Sequence, residues 1–79
     1  MRLPDKETIA RLRKEYPKGV RVELLSMDDP FAPPIGTKGT VIGVDDVGSL
    51  LTVWDNGSHL NVIFGQDSVR KVPSDKGRD

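Results

Sequence analysis

The chain has 79 residues, and its twelve basic and twelve acidic side chains cancel to a formal net charge of 0. That length holds one domain with a small core, and the charge balance withholds the basic footprint of a dedicated nucleic-acid binder. Cysteine is absent and His59 is the single histidine, so disulfides, thiolate metal centres and histidine-built zinc sites are excluded.

The opening residues, Met1-Arg2-Leu3-Pro4-Asp5-Lys6, lack the apolar run of a secretory signal, and the apolar stretches further on are far too short to cross a bilayer. A cytoplasmic setting without a membrane partner is expected. Residues 5–16 read as a helix. Asp5 is a suitable N-cap, and Glu7 sits near the positive end of the helix dipole. Ile9, Leu12 and Tyr16 recur at helical spacing as one narrow apolar stripe. Pro17 and Gly19 stop the helix, because the residue before proline avoids the helical region. The stripe predicts a helix docked on a sheet. Glu7 and Glu15, interspersed with Lys6, Arg11, Arg13 and Lys14, argue against a helix lying along phosphates.

Residues 20–24, V-R-V-E-L, alternate with period two, which places Val20, Val22 and Leu24 inward and Arg21 and Glu23 toward water. Residues 26–36, S-M-D-D-P-F-A-P-P-I-G, contain three prolines, which cannot donate ladder hydrogen bonds. Asp28-Asp29-Pro30 favours the start of a turn, and Pro33-Pro34 an extended, stiff backbone. Met27, Phe31 and Ile35 are expected to fold back over one end of the domain. A second strand covers residues 37–44, where Gly39 and Gly43 suit a bulge or a bent corner. After a polar turn at residues 45–48, strands follow at 50–54 and 59–64. Asp55-Asn56-Gly57 between them is a strong hairpin signal and predicts a type I′ turn. A corner at residues 65–68 leads to a fifth strand at 69–72. From residue 73 the chain has no apolar side chain and is expected to be disordered.

These elements predict a mostly β fold. It is an SH3-like five-stranded small barrel with an N-terminal α-helix, one domain over residues 1–72, closed so that no sheet edge is exposed. An OB-like barrel is disfavoured by the short strands and by the lack of a helix between the last two.

Catalytic chemistry finds little support. General acid–base work needs two positioned groups of separated pKa in a cleft, and His59 alternates out of phase with Leu60 and Val62, as an exposed strand residue does. Asp28 with Asp29, and Asp45 with Asp46, could add oxygen ligands to a cation only if the fold brought the pairs together. Turn chemistry accounts for all four. No cofactor is expected. Trp54, the lone tryptophan, has two readings. Simple alternation turns Leu51 and Val53 inward and Leu50, Thr52 and Trp54 outward, so that Trp54 either covers the helix or forms a ligand platform.

Met27-Asp28-Asp29-Pro30-Phe31-Ala32-Pro33-Pro34-Ile35-Gly36-Thr37-Lys38-Gly39-Thr40-Val41, and again Val53-Trp54-Asp55-Asn56-Gly57-Ser58 with Leu60-Asn61-Val62, closely resemble the small bacterial family known as domain of unknown function 4314, across roughly residues 3–72. The resemblance implies bacteria, phages and integrative elements as the setting. It implies no established activity and supplies no catalytic residues. Gly39-Thr40-Val41-Ile42-Gly43-Val44 also resembles the glycine-centred strand-turn of KOW motifs, whose barrels contact RNA or protein. The V-x-W-D-N-G-S segment is similar to the SH3-like repeats of large ubiquitin ligases, which bind peptides. Each of these two matches spans about half the barrel, and shared turn chemistry alone can produce it.

The expectation is therefore a non-enzymatic binding module for a protein or peptide. Phe31, Pro33, Ile35 and Trp54 would make contact, while Asp28, Asp29 and Asp55 shape the loops or pair with a basic partner. The alternative is an RNA- or DNA-associated barrel using Arg11, Lys14, Lys18, Arg21 and Lys38.

Overall fold

The computed structural model describes residues 4–73. The polar tail expected from residue 73 onward lies, beyond Pro73, outside the described residues. The helix α1 spans Lys6–Glu15, and the Asp5 carboxylate caps it by accepting the Thr8 N–H at 2.9 Å. This satisfies one of the donors that the first helical turn leaves unpaired. Ile9 and Leu12 are buried, and half-buried Tyr16 packs against the core of the sheet. After the helix, Gly19 donates to the Val41 carbonyl at 2.7 Å and Val20 accepts from Val41 N–H at 2.9 Å, so the chain passes straight into the sheet.

Five strands follow: β1 (Arg21–Ser26), β2 (Lys38–Val44), β3 (Ser49–Trp54), β4 (Val62–Ile63) and β5 (Ser68–Lys71). They form one antiparallel sheet in the order β4-β3-β2-β1-β5. The first four are a meander, and β5 returns to pair outside β1 with Glu23 opposite Arg70. The mostly β fold with an N-terminal helix, and the order of the meander, match the sequence reading. Closure does not. No ladder joins β4 to β5 among the described residues, and the sheet ends at these two strands. Side chains claim the groups that a longer β4 would have used. Asn61 Oδ1 accepts the Thr52 N–H at 3.4 Å, and the Leu60 carbonyl accepts the Trp54 indole N–H at 2.7 Å. The fourth strand thus shrinks from the expected residues 59–64 to two residues. The chain then turns at Gly65–Asp67, where the Ile63 carbonyl accepts from both Gln66 and Asp67 and the Asp67 carboxylate accepts the Ile63 N–H.

Both tight hairpins share one construction. The Trp54 carbonyl accepts from Gly57 at 2.9 Å, and Trp54 N–H donates to the Ser58 carbonyl at 2.9 Å. In the other hairpin Asp45 makes the same pair of bonds with Gly48 and Ser49, at 3.3 and 3.0 Å. Gly57 and Gly48 have φ of +94° and +88°, and among the described residues no non-glycine residue has positive φ. Asn56 therefore does not adopt the type I′ geometry expected of it. Each connection is a three-residue loop closed by a left-handed glycine, the next commonest hairpin.

Val22, Leu24, Val41, Leu50, Trp54 and Val62 form the core cluster, with Val20, Met27, Val44 and Val69 packed around it. Burial of each large side chain stabilises the fold by about 1.5–3 kcal/mol. The alternation predicted for β1 holds at Val22 and Leu24, both fully buried. The β2–β3 register slips between Val41 and Gly43, so Ile42 bulges outward. Among the described residues no helix is long and apolar enough to cross a membrane.

Candidate functional site

Trp54 is only 1% exposed. Leu50, Thr52 and Trp54 face inward, opposite to the facing that simple alternation predicts. The reason lies across the ladder. Gly39 stands opposite Trp54, and a Cβ there would lie 2.7 Å from the indole Cε3, so the missing side chain is the space the ring fills. Thr52 is tolerated in the core because its hydroxyl donates to the Leu50 carbonyl at 3.0 Å. Trp54 is therefore neither a surface platform nor a cover for the helix. It is the largest fully buried side chain among the described residues, in a core cluster with Val22, Leu24, Val41, Leu50 and Val62.

The proline loop is pinned along its length. Asp29 Oδ1 accepts the Phe31 N–H at 2.8 Å, the Asp29 carbonyl accepts from Ala32 at 3.0 Å, and the Pro34 carbonyl accepts from Thr37 at 3.0 Å. Leu24 clamps its far end through Gly36 and Thr37. Pro33 is buried, and Met27 packs on the core as expected. Phe31 and Ile35 do not fold back. They are 80% and 61% exposed. The contact set expected from sequence thus divides, with Pro33 and Trp54 inside and Phe31 and Ile35 outside, beside exposed Asp28 and Asp29.

Asp55 has a different partner from the one expected. Its two oxygens accept from Arg21 Nη1 and Nη2 at 2.8 and 2.7 Å, and Arg21 Nη1 also reaches Thr40 Oγ1 at 3.1 Å. This hydrogen-bonded guanidinium, with the charges of Arg21 and Lys38 adding to it, holds the Asp55 carboxyl below the ordinary 3.8. The pair ties β1 to the β3–β4 turn. Arg70 likewise donates to Glu23 at 2.7 Å across β5 and β1. Five cations named from the sequence are thus not one patch. Arg21 and Lys38 lie around Asp55, whereas Arg11, Lys14 and Lys18 are exposed on and just after the helix. Neighbouring Arg13 instead donates to the Val44 carbonyl and to Asp46, at 2.8 Å for the latter. Asp28–Asp29 and Asp45–Asp46 occupy separate turns, and no group of three or more His, Asp or Glu is placed to hold a metal among the described residues.

Sequence reasoning missed a cleft between the end of α1 and the β4–β5 corner. Its volume is about 390 Å³, its apolar walls include Tyr16, Val62 and Phe64, and Glu15 and Asp67 stand at it. Burial, with the charge of Glu15 nearby, raises the Tyr16 phenol above its ordinary 10.0. The signal available in the sequence was Phe64, an apolar residue directly before the Gly65 corner, which the short β4 leaves half exposed.

Comparison with curated proteins and with solved structures returns no match. Residues 5–72 match the family described as Domain of unknown function (DUF4314), which covers the helix and all five strands. The chain belongs to that family.

Proposed function

We propose that this chain is a non-enzymatic, cytoplasmic binding module that recognises a protein or peptide through its proline loop. The observation that carries this reading is Phe31, an aromatic ring 80% exposed on a loop whose backbone is fixed around it. Exposed aromatics in fixed positions are the groups that concentrate binding energy in protein interfaces. The loop's order also lowers the entropy lost on association. Ile35 extends the apolar contact, and Asp28 and Asp29 add negative charge at its side. Trp54, Pro33 and Asp55 act behind this surface by holding the core, the loop and the β3–β4 turn. The rival reading, an RNA- or DNA-associated domain, rests on the exposed cations Arg11, Lys14 and Lys18.

The test is affinity capture from the native host, comparing the wild type with a Phe31→Ser/Ile35→Ser variant of unchanged urea midpoint. A partner retained by the wild type at low and high salt, and lost by the variant, supports the reading. Identical capture by both proteins overturns it. Capture of nucleic acid that salt releases favours the rival, because phosphate contacts weaken steeply as ionic strength rises.

A further inference from the structure

We infer that the cleft beneath the end of α1 docks a peptide segment of a partner that combines an apolar anchor with flanking lysine or arginine. None of residues 26–36 lines this cleft. The cleft's volume of about 390 Å³ falls within the range of built ligand sites. Its floor is core: Leu12, Leu50 and Val62 are buried. Its walls are Tyr16, Val69 and Phe64, the last 47% exposed. A buried floor with a half-exposed aromatic rim suits one apolar anchor.

Charge decides the rest. The charged residues lining the cleft are Glu15 and Asp67, both acidic. Across the corner a second concavity of about 360 Å³ is lined by Asp28, Asp29 and again Asp67, beside Met27 and Ile63. Asp67 lines both, so the corner is a ridge between two carboxylate-bearing hollows. Among the described residues no lysine, arginine or histidine lines either. Lys71 lies 5.3 Å over the Tyr16 ring and is not among the lining residues. Glu15 and Asp28 have no hydrogen bond or ion pair among the described residues, and Asp67 spends one oxygen on the Ile63 N–H. The chain is formally neutral as a whole, yet this end presents four carboxylates around apolar surface. Such a field attracts a cationic segment and repels phosphate, so the occupant is a basic, apolar peptide and not a nucleic acid.

The experiment uses the full chain, nitrogen-labelled for amide shift mapping. The probes are a short acetylated peptide of alternating leucine and arginine and a matched peptide of alternating leucine and glutamate. The leucine–arginine peptide is expected to shift Glu15, Tyr16 and residues 64–69 in a saturable way, and the leucine–glutamate peptide to leave them in place. Glu15→Lys should weaken the binding roughly two- to fivefold, as loss of an exposed charge contact does. That exchange favours the helix dipole, so the fold is retained. Phe64→Ser should abolish saturation, whereas Phe31→Ser should leave it unchanged. The inference is overturned if both peptides shift the same amides equally, if Glu15→Lys binds as the wild type does, or if the shifts centre on residues 31–35. Because Phe31→Ser removes the proline-loop surface alone, failure here and failure of that surface are separately visible.

Discussion

Replacing Gly39 with alanine probes the contact that turns Trp54 inward. The new Cβ would lie 2.7 Å from Trp54 Cε3, 2.9 Å from the Val53 carbonyl oxygen and 3.1 Å from Thr52 Cγ2. Favourable carbon contacts lie at about 3.5–4.0 Å, so three neighbours must withdraw by roughly half an ångström to one ångström. One of them is backbone in the β2–β3 ladder, where Thr40 faces Val53. Overpacking of this kind costs about 1–3 kcal/mol. Exchanging glycine for alanine returns about 0.4–1 kcal/mol through the unfolded chain. With backbone involved, the upper half of the range applies, and the net loss is about 2 kcal/mol. In a domain this small that lowers Tm by about 8–16 °C. Gly43→Ala is the control, since its Cβ would meet Leu51 Cδ1 at an ordinary 3.8 Å. It should leave stability unchanged or raise it by up to about 1 kcal/mol, through the same effect on the unfolded chain. The assay is urea unfolding followed by far-ultraviolet circular dichroism, with equal slopes required of all three proteins. Equal midpoints for the two variants, or a Gly39→Ala protein as stable as the wild type, would refute the account of the buried indole.

Further expectations follow from the same contacts. Trp54→Ala should cost about 3–5 kcal/mol by opening a core cavity, measured by urea unfolding; a change near zero would return the ring to the surface. Gly57→Ala meets open space and should pay only the left-handed backbone penalty of about 1–2 kcal/mol, whereas Gly48→Ala also meets the Pro4 ring at 2.7 Å and should cost more. The excess should vanish in a Pro4→Ala background, which a double-mutant cycle reads directly. A cycle over Arg21 and Asp55 should give a coupling of about 0.5–1 kcal/mol at neutral pH, modest because Asp55 is half exposed and solvent screens the pair. Asp55 is lowered in the folded state, so its contribution is complete above the ordinary 3.8 and disappears as pH falls through the depressed value. Asp55→Asn should therefore lose less stability in strong acid than the wild type, judged by urea midpoints at neutral and acid pH.

The helix and β1 were legible because each shows a single periodicity with its stop signals: Asp5 before the stripe of Ile9 and Leu12, and the strict alternation of Val20 to Leu24. The glycines at 48 and 57 located the hairpins, although the conformation of Asn56 depended on loop length and not on residue type. Strand β3 was not legible. In L-L-T-V-W both faces carry apolar residues, and the buried face includes a threonine whose hydroxyl is satisfied locally. Alternation therefore pointed the wrong way, and only the paired Gly39 could have corrected it. The proline loop was recognised as stiff, but composition does not say which apolar side chain of an irregular segment turns inward. Pro33 does, and Phe31 and Ile35 do not. The cleft escaped notice because it opens between the end of the helix and the corner at residues 64–68, where β4 has already ended at Ile63.

The helix touches the β2–β3 hairpin at two points. Pro4, just before it, abuts Gly48, and Arg13 near its other end holds the Val44 carbonyl and Asp46. Two tethers onto one hairpin make these elements a single cooperative unit. Amide protons of the helix and of residues 48–49 should therefore report a similar opening free energy in deuterium exchange, and a fusion partner joined ahead of Pro4 would register its presence at a loop more than forty positions along the chain.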